Sequence, residues 1–316
     1  MDLIFWVAFI AFIGVFLALD LGVFLRDALV VPPKEALGWT LVWVTLAVVF
    51  GLGVLFVSGT ETGIAWFTGY VIEYSLSVDN VFVFALIFGA FAVPRELQHR
   101  VLFWGVIGAL VLRFVMILAG ASLIESYHWV IYVFGGFLVF TGVRMALSGA
   151  DHAAHPEDNP IVRIARRRMR ITPEFHGQRF FVRTAAGLAA TPLFLTLITV
   201  ETSDVIFAVD SIPAIFAVTT DPFVVFTSNA FAILGLRSLY FLLADAADRF
   251  RYLKLGLAAV LVFVGAKMLL TDIVKVPPAL SLAVIVGVLA VAVVVSLAAD
   301  RRDPRVVEAS LPDAEA

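Results

Sequence analysis

Five carboxylates and one amide interrupt two of the most apolar stretches of this chain. Three lie in each half of the sequence, and together they are Glu73, Asp79, Asn80, Glu201, Asp204 and Asp210. A carboxylate at bilayer depth costs several kcal/mol unless it is paired, protonated or bound to a cation. Carboxylates in matched positions of two halves therefore predict a site for a cation that crosses the membrane.

The available ligand atoms limit the kind of cation. The chain has no cysteine, which excludes disulfides, thiolate ligands and redox chemistry at sulfur. Its five histidines, which lie in predicted loops or at span ends, are His99, His128, His152, His155 and His176. Oxygen ligands alone favour Mg²⁺, Ca²⁺ or Mn²⁺ over zinc or copper, and the residues do not separate these three ions.

Composition indicates that the elements holding these side chains cross a membrane. The 316 residues are 62% hydrophobic and 15% charged, whereas a soluble protein carries about 25% charged residues. A spanning helix needs roughly 20 apolar residues. The sequence therefore predicts an all-α integral membrane protein with about nine transmembrane helices. They cover roughly 3–25, 37–58, 63–91, 99–121, 127–147, 185–218, 222–244, 252–272 and 279–299.

Lysine and arginine positions predict the orientation. On the nine-span arrangement, 17 of the 22 basic residues fall on one side, and Lys275 alone falls on the other. The positive-inside rule then places the N-terminus outside and the C-terminus in the cytoplasm. The remaining four lie within spans and are Arg113, Arg144, Arg237 and Lys267. No basic region precedes the first span, which favours a retained helix over a cleaved signal peptide.

The two halves repeat each other. VFTGVRMAL (139–147) parallels VFVGAKMLL (262–270), Arg113 parallels Arg237, and Asp79 parallels Asp204, at offsets of 123 to 125 residues. A duplicated unit of three helices enters the membrane from the opposite face the second time, so the pattern predicts a 3+3 inverted-topology repeat. The predicted segments are helices 1–2 (1–62), first repeat (63–147), cytoplasmic basic loop (148–184), second repeat (185–272), last helix (273–300) and disordered cytoplasmic tail (301–316).

The third and sixth predicted spans are too long for one straight crossing. Polar residues at every second position from Glu73 to Asp79 do not suit one helix face, and Pro213 follows the acids of the second half. We therefore expect a broken helix in each of these spans, with backbone carbonyls freed to join the ligands.

The four intramembrane bases have two interpretations. Either they balance the acids when no metal is bound, Arg113 and Arg237 above all, or acids and bases merely tie helices together. Arg144 and Lys267 lie near span ends, where their side chains can also reach the interface. Weaker candidates for the site are Asp20, Asn229 and Asp245. No GxxxxGK[ST] loop is present to supply energy from ATP, so proton exchange is the expected drive.

The 148–184 loop leaves several interpretations open. Its basic stretch VRIARRRMR (162–170) could lie against anionic lipid or form a solvated linker. A regulatory metal site is a further hypothesis, with Asp151, His152, His155, Glu157 and Asp158 as ligands. The loop could also dock protein partners, whose identity the sequence does not give, and no pattern indicates a nucleic-acid partner.

The motifs EYSLSVDN (73–80), HPEDNP (155–160), ATPLFLTLITVETSDVIFAVDSIPAIFAVT (190–219) and SNAFAILGLRSLYFLL (228–243) resemble the TerC family of bacterial integral membrane proteins, which includes the Alx-type proteins. The resemblance covers roughly residues 10–300 and reaches all five acids. It implies a non-enzymatic exporter in the bacterial inner membrane, with Mn²⁺ as transported substrate and no cofactor. Glu73, Asp79, Asn80, Glu201, Asp204 and Asp210 would be its ligands. The alternatives are a membrane scaffold of a tellurium or stress-resistance complex and a Ca²⁺ or Na⁺ exchanger.

Overall fold

The computed structural model describes residues 3–24, 32–147, 160–184, 187–243 and 252–302. Helices dominate it. They are α1 (Leu3–Phe24), α2 (Pro33–Ser58), α3 (Thr60–Ala90), α4 (Arg95–Ser126), α5 (Val130–Leu147), α6 (Pro160–Arg168), α7 (Pro192–Phe216), α8 (Pro222–Leu234), α9 (Leu236–Leu243), α10 (Leu253–Leu269) and α11 (Pro278–Arg302).

Proline and aspartate set several helix starts. Helices α2, α7 and α8 each have a proline in the first turn, where the missing N–H has no intrahelical partner to lose. Asp221 caps α8, because its Oδ1 accepts hydrogen bonds from the backbone N–H groups of Phe223 and Val224 at 2.9 and 3.3 Å. These bonds fix the start of α8, directly after its short connection to α7.

Seven helices within the described residues are long and apolar enough to cross a membrane, with α8 and α9 together forming the single span Pro222–Leu243. The chain is therefore a multi-pass, mostly helical membrane protein. Helices α1 and α10 coincide with the two other predicted spans, but they are not among these seven. The count of nine stays a prediction.

The prediction of broken helices is wrong. Helices α3 and α7 are continuous through both acidic segments, and α3 simply runs for 31 residues, or about 46 Å. The alternating polar residues do not require unwinding, since the Ser75 hydroxyl donates to the carbonyl of Val71 one turn earlier at 2.6 Å. Pro213 lies only three residues before the end of α7, so less than one turn of helix follows it and no break in the span results.

The helix of the sixth predicted span begins later than the expected residue 185. Residues 187–190 form a strand instead. Strands β1 (Phe181–Thr184) and β2 (Gly187–Ala190) make a two-stranded antiparallel hairpin, and the helix begins only at Pro192. This hairpin is a small departure from an all-α chain. The predicted segment boundaries, including the start of the second repeat, stay predictions.

Helix contacts follow the two halves of the chain. The contact of α3 with α8 corresponds to the contact of α7 with α4. Equivalent helices of the two halves also meet each other, since α3 packs against α7 and α5 packs against α10. In the last pair, a Cβ at Gly142 would meet Ala258 and Val262, and a Cβ at Gly265 would meet Gly135 and Val139. Each of these residues lies 123 positions from its counterpart, so the two helices approach each other through equivalent surfaces.

A second contact links the ends of α5 and α10. Asp272 accepts a hydrogen bond from the Tyr132 hydroxyl, and its Oδ1 lies 3.5 Å from His128 Nε2. The hydrogen bond from Tyr132, with His128 nearby, lowers the pKa of the Asp272 carboxyl. All of this lies at the exposed surface, at the end of the molecule where Lys275 also lies.

Candidate functional site

The candidate site is centred on Arg113 in the middle of α4. Its guanidinium is 1% exposed and forms a close ion pair with Glu73 of α3, which is fully buried. Its Nη2 lies 3.7 Å from Oδ1 of Asp204 on α7, which is 2% exposed. One base from the first half therefore holds one acid from each half.

Two neutral side chains of the second half complete the environment of Arg113. Its Nη1 donates to Oδ1 of Asn229 on α8 at 3.2 Å and to Oγ of Ser211 on α7 at 3.3 Å. Ser211 and Asn229 are each 1% exposed. Asp204 and Ser211 are seven residues apart, two turns along one face of α7, which is why both reach the same guanidinium.

The charge balance of this cluster is unequal. Two carboxylates face one guanidinium, so one unit of negative charge remains when both acids are ionised. Glu73 Oε2 and Arg113 Nε also lack a hydrogen-bond partner among the described residues. A buried site with surplus negative charge and an unused carboxylate oxygen, Oε2 of Glu73, has the chemistry to accept a proton or a cation.

A polar stripe leads from Glu73 along α3. Ser77 and Asn80 lie four and seven residues further on, on the same face as Glu73, and they are 0% and 2% exposed. The Ser77 hydroxyl and the Asn80 amide nitrogen have no hydrogen-bond partner within the described part of the chain. Sequence reasoning made Asn80 a candidate ligand but not Ser77. The i, i+4, i+7 spacing from Glu73 was the signal that could have identified Ser77.

Glu201 is positioned by a glycine. The carboxylate of this half-buried residue occupies the space where Gly108 of α4 would carry a Cβ. Glu201 precedes Asp204 by three residues on the same face of α7, and their two carboxylates repel each other. The two acids of this motif therefore both face α4, which their i, i+3 spacing allows.

Asp79 and Asp210 lie farther along their helices. Each is six residues, or about 9 Å, from Glu73 and Asp204 respectively. Asp79 lies within electrostatic reach of Lys254 at the start of α10. Asp210 accepts a hydrogen bond from the Thr141 hydroxyl and lies within electrostatic reach of Arg144, both on α5. Across the described ranges, no three His, Cys, Asp or Glu side chains lie close enough together to hold a metal ion.

The other predicted bases do not join the Arg113 cluster. Lys267 donates to Ser281 of α11 at 3.0 Å, and Arg144 is exposed. Arg237 lines a cavity between α1, α2, α4 and α9 together with Trp39 and Trp43. The repeat predicted that Arg113 and Arg237 are equivalent, but the two arginines have different surroundings.

Asn229, one of the weaker candidates, lies at the site. Ser211 also lies there but was not predicted, because a lone serine in an apolar helix gives no signal. The side chain of Asp20, all of Asp245, and the proposed loop ligands Asp151, His152, His155, Glu157 and Asp158 lie outside the described residues.

These features define a class: a helical, multi-pass membrane protein whose two halves meet at a buried acid–arginine cluster. The chain belongs to the integral membrane protein TerC family, whose model matches residues 58–304. That range begins at the end of α2 and includes the six predicted ligands and the four predicted bases.

Similar proteins occur in several bacteria. The chain is 56% identical over 299 residues to a Myxococcus xanthus protein named "Uncharacterized membrane protein STKORF319", which covers 95% of this chain and 93% of that protein. It is 50% identical over 300 residues to the "Putative membrane-bound redox modulator Alx" of Escherichia coli K12 and of Shigella flexneri, covering 92% of this chain and 93% of each relative. No solved structure matches.

Proposed function

We propose that this protein is a secondary transporter that exports a divalent cation, manganese as the family resemblance implies, in exchange for protons. The observation that carries the proposal is the Glu73–Arg113–Asp204 cluster, in which two buried acids share one base. Burying charge this deeply is expensive, and a purely structural tie would need only one acid for one base.

Arg113 acts in this proposal as a tethered cation. Its guanidinium pairs with Glu73 and Asp204 when no metal is bound, and an arriving divalent ion takes its place at these two carboxylates. Protons then compete with the metal for the same oxygens, because a carboxylate that binds metal when ionised releases it when protonated. The other predicted ligands would act along the route of the ion: Glu201, Asp79, Asp210 and Asn80. Asn80 would do so as part of the buried polar stripe of α3.

Proton exchange supplies the necessary energy. Moving a divalent cation out of a cell against about 150 mV costs roughly 7 kcal/mol before any concentration difference. An inward flow of protons offsets that cost without a nucleotide-binding site. The proposal therefore predicts that the direction of metal flux follows the imposed pH gradient.

Alternating access in this proposal comes from an inverted 3+3 repeat within nine spans. The equivalent approaches of Gly142 and Gly265 support it, as do the matched contacts of α3 with α8 and of α7 with α4. In such transporters the site lies where the repeats meet. Glu73 and Arg113 come from the first repeat, and Asp204, Ser211 and Asn229 from the second.

The proposed setting is the bacterial inner membrane, with the N-terminus outside and the C-terminus in the cytoplasm, on the basis of the basic-residue asymmetry. The name of the Alx relatives refers to redox modulation. This chain has no cysteine, so a thiol–disulfide couple within it is not the means. Exporting a redox-active metal ion is a route by which such a membrane protein can alter redox state.

The decisive experiment is flux in proteoliposomes, with Mn²⁺, Ca²⁺, Mg²⁺ and Na⁺ compared at two pH values. We expect Mn²⁺ flux that follows the pH gradient, reduced at least about tenfold by Glu73→Gln or Asp204→Asn. Asp79→Asn and Asp210→Asn test the outer parts of the route. Glu125→Gln is the matched control, since it neutralises an exposed acid at the end of α4.

Equal Mn²⁺ flux in the wild type and in the Glu73 and Asp204 variants would refute the site. Preference for Ca²⁺ or Na⁺ would keep the site and reassign the substrate. If the protein is instead a scaffold, purified vesicles will show no flux, and shortening the 148–184 loop will abolish the cellular function. A transporter with the same loop shortened should keep much of its flux.

A further inference from the structure

Helix α6 has an exposed apolar strip that the proposed transport does not use. Val162 and Ala165 form its buried side and pack against Leu195 of α7. Ile161 and Ile164 lie beside this buried side on the helix surface, and their side chains are 46% and 59% exposed. An isoleucine pair left exposed next to a packed face is the pattern of a helix that lies on a membrane.

The position of α6 places this strip at the membrane boundary. Its buried side forms a cluster with Leu195 in the first turn of α7, and Ile198 of α7 and Phe91 at the end of α3 pack against this cluster. Both α3 and α7 are among the helices apolar enough to span the bilayer. Because α6 packs where these two spans end, it lies at the level at which they leave the hydrocarbon.

The chain on the C-terminal side of α6 is anchored to the same place. The Thr172 N–H donates to the carbonyl of Ala190 at 2.9 Å, and the Ala190 N–H donates to the carbonyl of Arg170 at 2.8 Å. Ala190 ends β2 and leads directly into α7. The hairpin thereby fixes α6 against the spanning helices, so its exposed side keeps one orientation.

The charge of this region is strongly positive. Residues 160–190 contain seven arginines and a single acid, Glu174. All seven arginines are exposed, and four of them, Arg163, Arg166, Arg167 and Arg168, belong to α6. Arg163 and Arg166 lie on the side of the helix away from the isoleucines. Arg167 and Arg168 follow Ile164 by three and four residues and flank the exposed strip, so arginines surround the two isoleucines.

We propose that α6 is an interfacial helix that binds the phosphates of anionic phospholipids in the leaflet where α7 begins. Ile161 and Ile164 enter the boundary between headgroups and acyl chains, and the arginines bind the lipid phosphates through paired N–H donors. Each basic side chain near an anionic surface strengthens binding about fivefold. This lipid binding does not depend on which ion is transported.

The first test compares two triple variants of the full-length protein with equal charge. One is Arg166→Gln, Arg167→Gln and Arg168→Gln in α6; the control is Arg170→Gln, Arg179→Gln and Arg183→Gln in the same segment. Phosphatidylglycerol is titrated into detergent-purified protein, and the melting temperature is followed. We expect the α6 variant to need at least about tenfold more lipid than the wild type, and the control to need less than about threefold more.

Equal lipid dependence in the two triple variants would overturn the proposal, because it would mean that net charge alone attracts the lipid. An equal response of the wild type to phosphatidylcholine would overturn it as well. Inorganic phosphate at the same concentration separates the two sources of phosphate, and stabilisation by it without lipid would also count against an interfacial helix.

A second test measures the position of α6 without removing charge. The chain has no cysteine, so Ile164→Cys provides a unique site for a spin label, and Glu174→Cys provides an exposed control on the same segment. In phosphatidylglycerol vesicles we expect the label at 164 to be relaxed more by oxygen than by a water-soluble nickel chelate, and the label at 174 the reverse. Nickel dominance at both positions would refute membrane contact.

Discussion

At the scale of single residues, the balance of charge around Arg113 determines the properties of the site. The guanidinium holds Glu73 and Asp204 together, and removing it leaves two buried carboxylates facing each other. Breaking a buried pair by deleting one partner costs about 3–5 kcal/mol. Arg113→Gln should therefore lower the melting temperature of the detergent-purified protein well below that of Arg183→Gln, which removes an exposed arginine.

The same variant distinguishes a metal site from a structural tie. With Arg113 absent, a divalent cation is the expected counter-charge for the two acids, so Mn²⁺ should restore part of the lost melting temperature. Wild-type protein should show a smaller shift, because there the metal must first displace the guanidinium. An Arg113→Gln protein that melts like the wild type, with or without Mn²⁺, would contradict this role.

A second prediction at this scale concerns Gly108. An added Cβ would occupy the position of the Glu201 carboxylate, which is the movable end of a side chain, so Gly108→Ala should displace Glu201 while the helices stay in place. We expect a melting temperature within a few degrees of the wild type and a changed Mn²⁺ concentration for half-maximal flux. Gly105→Ala, one turn away, is the matched control, since among the described residues its Cβ meets only a methyl of Val200 at 3.2 Å.

Identical transport by the two alanine variants would show that the position of Glu201 does not matter for the site. A large loss of melting temperature in Gly108→Ala alone would instead mean that the helices, not the carboxylate, had moved. Measuring flux and melting on the same preparations separates these results.

At the scale of elements, sequence reasoning located helices well and judged their continuity badly. Apolar length alone predicted α2, α4 and α11 within a few residues, because a bilayer demands about 20 such residues. The predicted breaks failed because polar side chains in a spanning helix can be satisfied within it. The hydroxyls of Thr202 and Ser203 both donate to carbonyls four residues earlier, as Ser75 does.

The pairing of α5 with α10 gives a prediction about an element. A Cβ at Gly142 would lie 2.8 Å from the carbonyl oxygen of Ala258, and one at Gly265 would lie 2.7 Å from that of Gly135. Backbone atoms cannot turn aside, so either alanine must push the helices apart, at about 1–3 kcal/mol. The two substitutions should cost similar amounts, because the contacts are equivalent in the two halves.

Gly136 supplies the control for this pair. It also lies in α5, but no neighbouring helix of the described chain comes within 4 Å of the position that its Cβ would take. Gly136→Ala should therefore be neutral or slightly stabilising through better helix propensity. Thermal unfolding of the three variants in one detergent is the measurement. Equal melting temperatures for all three would mean that close approach of α5 and α10 is unimportant for stability.

At the scale of the whole molecule, the candidate site lies where the halves of the chain meet. The sequence alone could place an acid in each half and could pair Arg113 with Arg237 by offset. It could not predict that only Arg113 meets Glu73 and Asp204. That outcome depends on Ser211 and Asn229 supplying acceptors around one guanidinium, a matter of packing that periodicity does not report.

The sidedness of the molecule yields the last prediction. With nine spans and the N-terminus outside, the ends of α2–α3, α4–α5 and α10–α11 face outward, and the α6 region faces the cytoplasm. Because the chain has no cysteine, Glu61→Cys, Tyr127→Cys and Lys275→Cys should react with a membrane-impermeant maleimide in intact spheroplasts. Glu174→Cys should react only after permeabilisation. All four side chains are exposed, so access to the reagent depends on the side of the membrane. Labelling of Lys275→Cys on the same side as Glu174→Cys would leave one of α7, α8–α9 and α10 not crossing the bilayer, and would remove the second half of the inverted repeat.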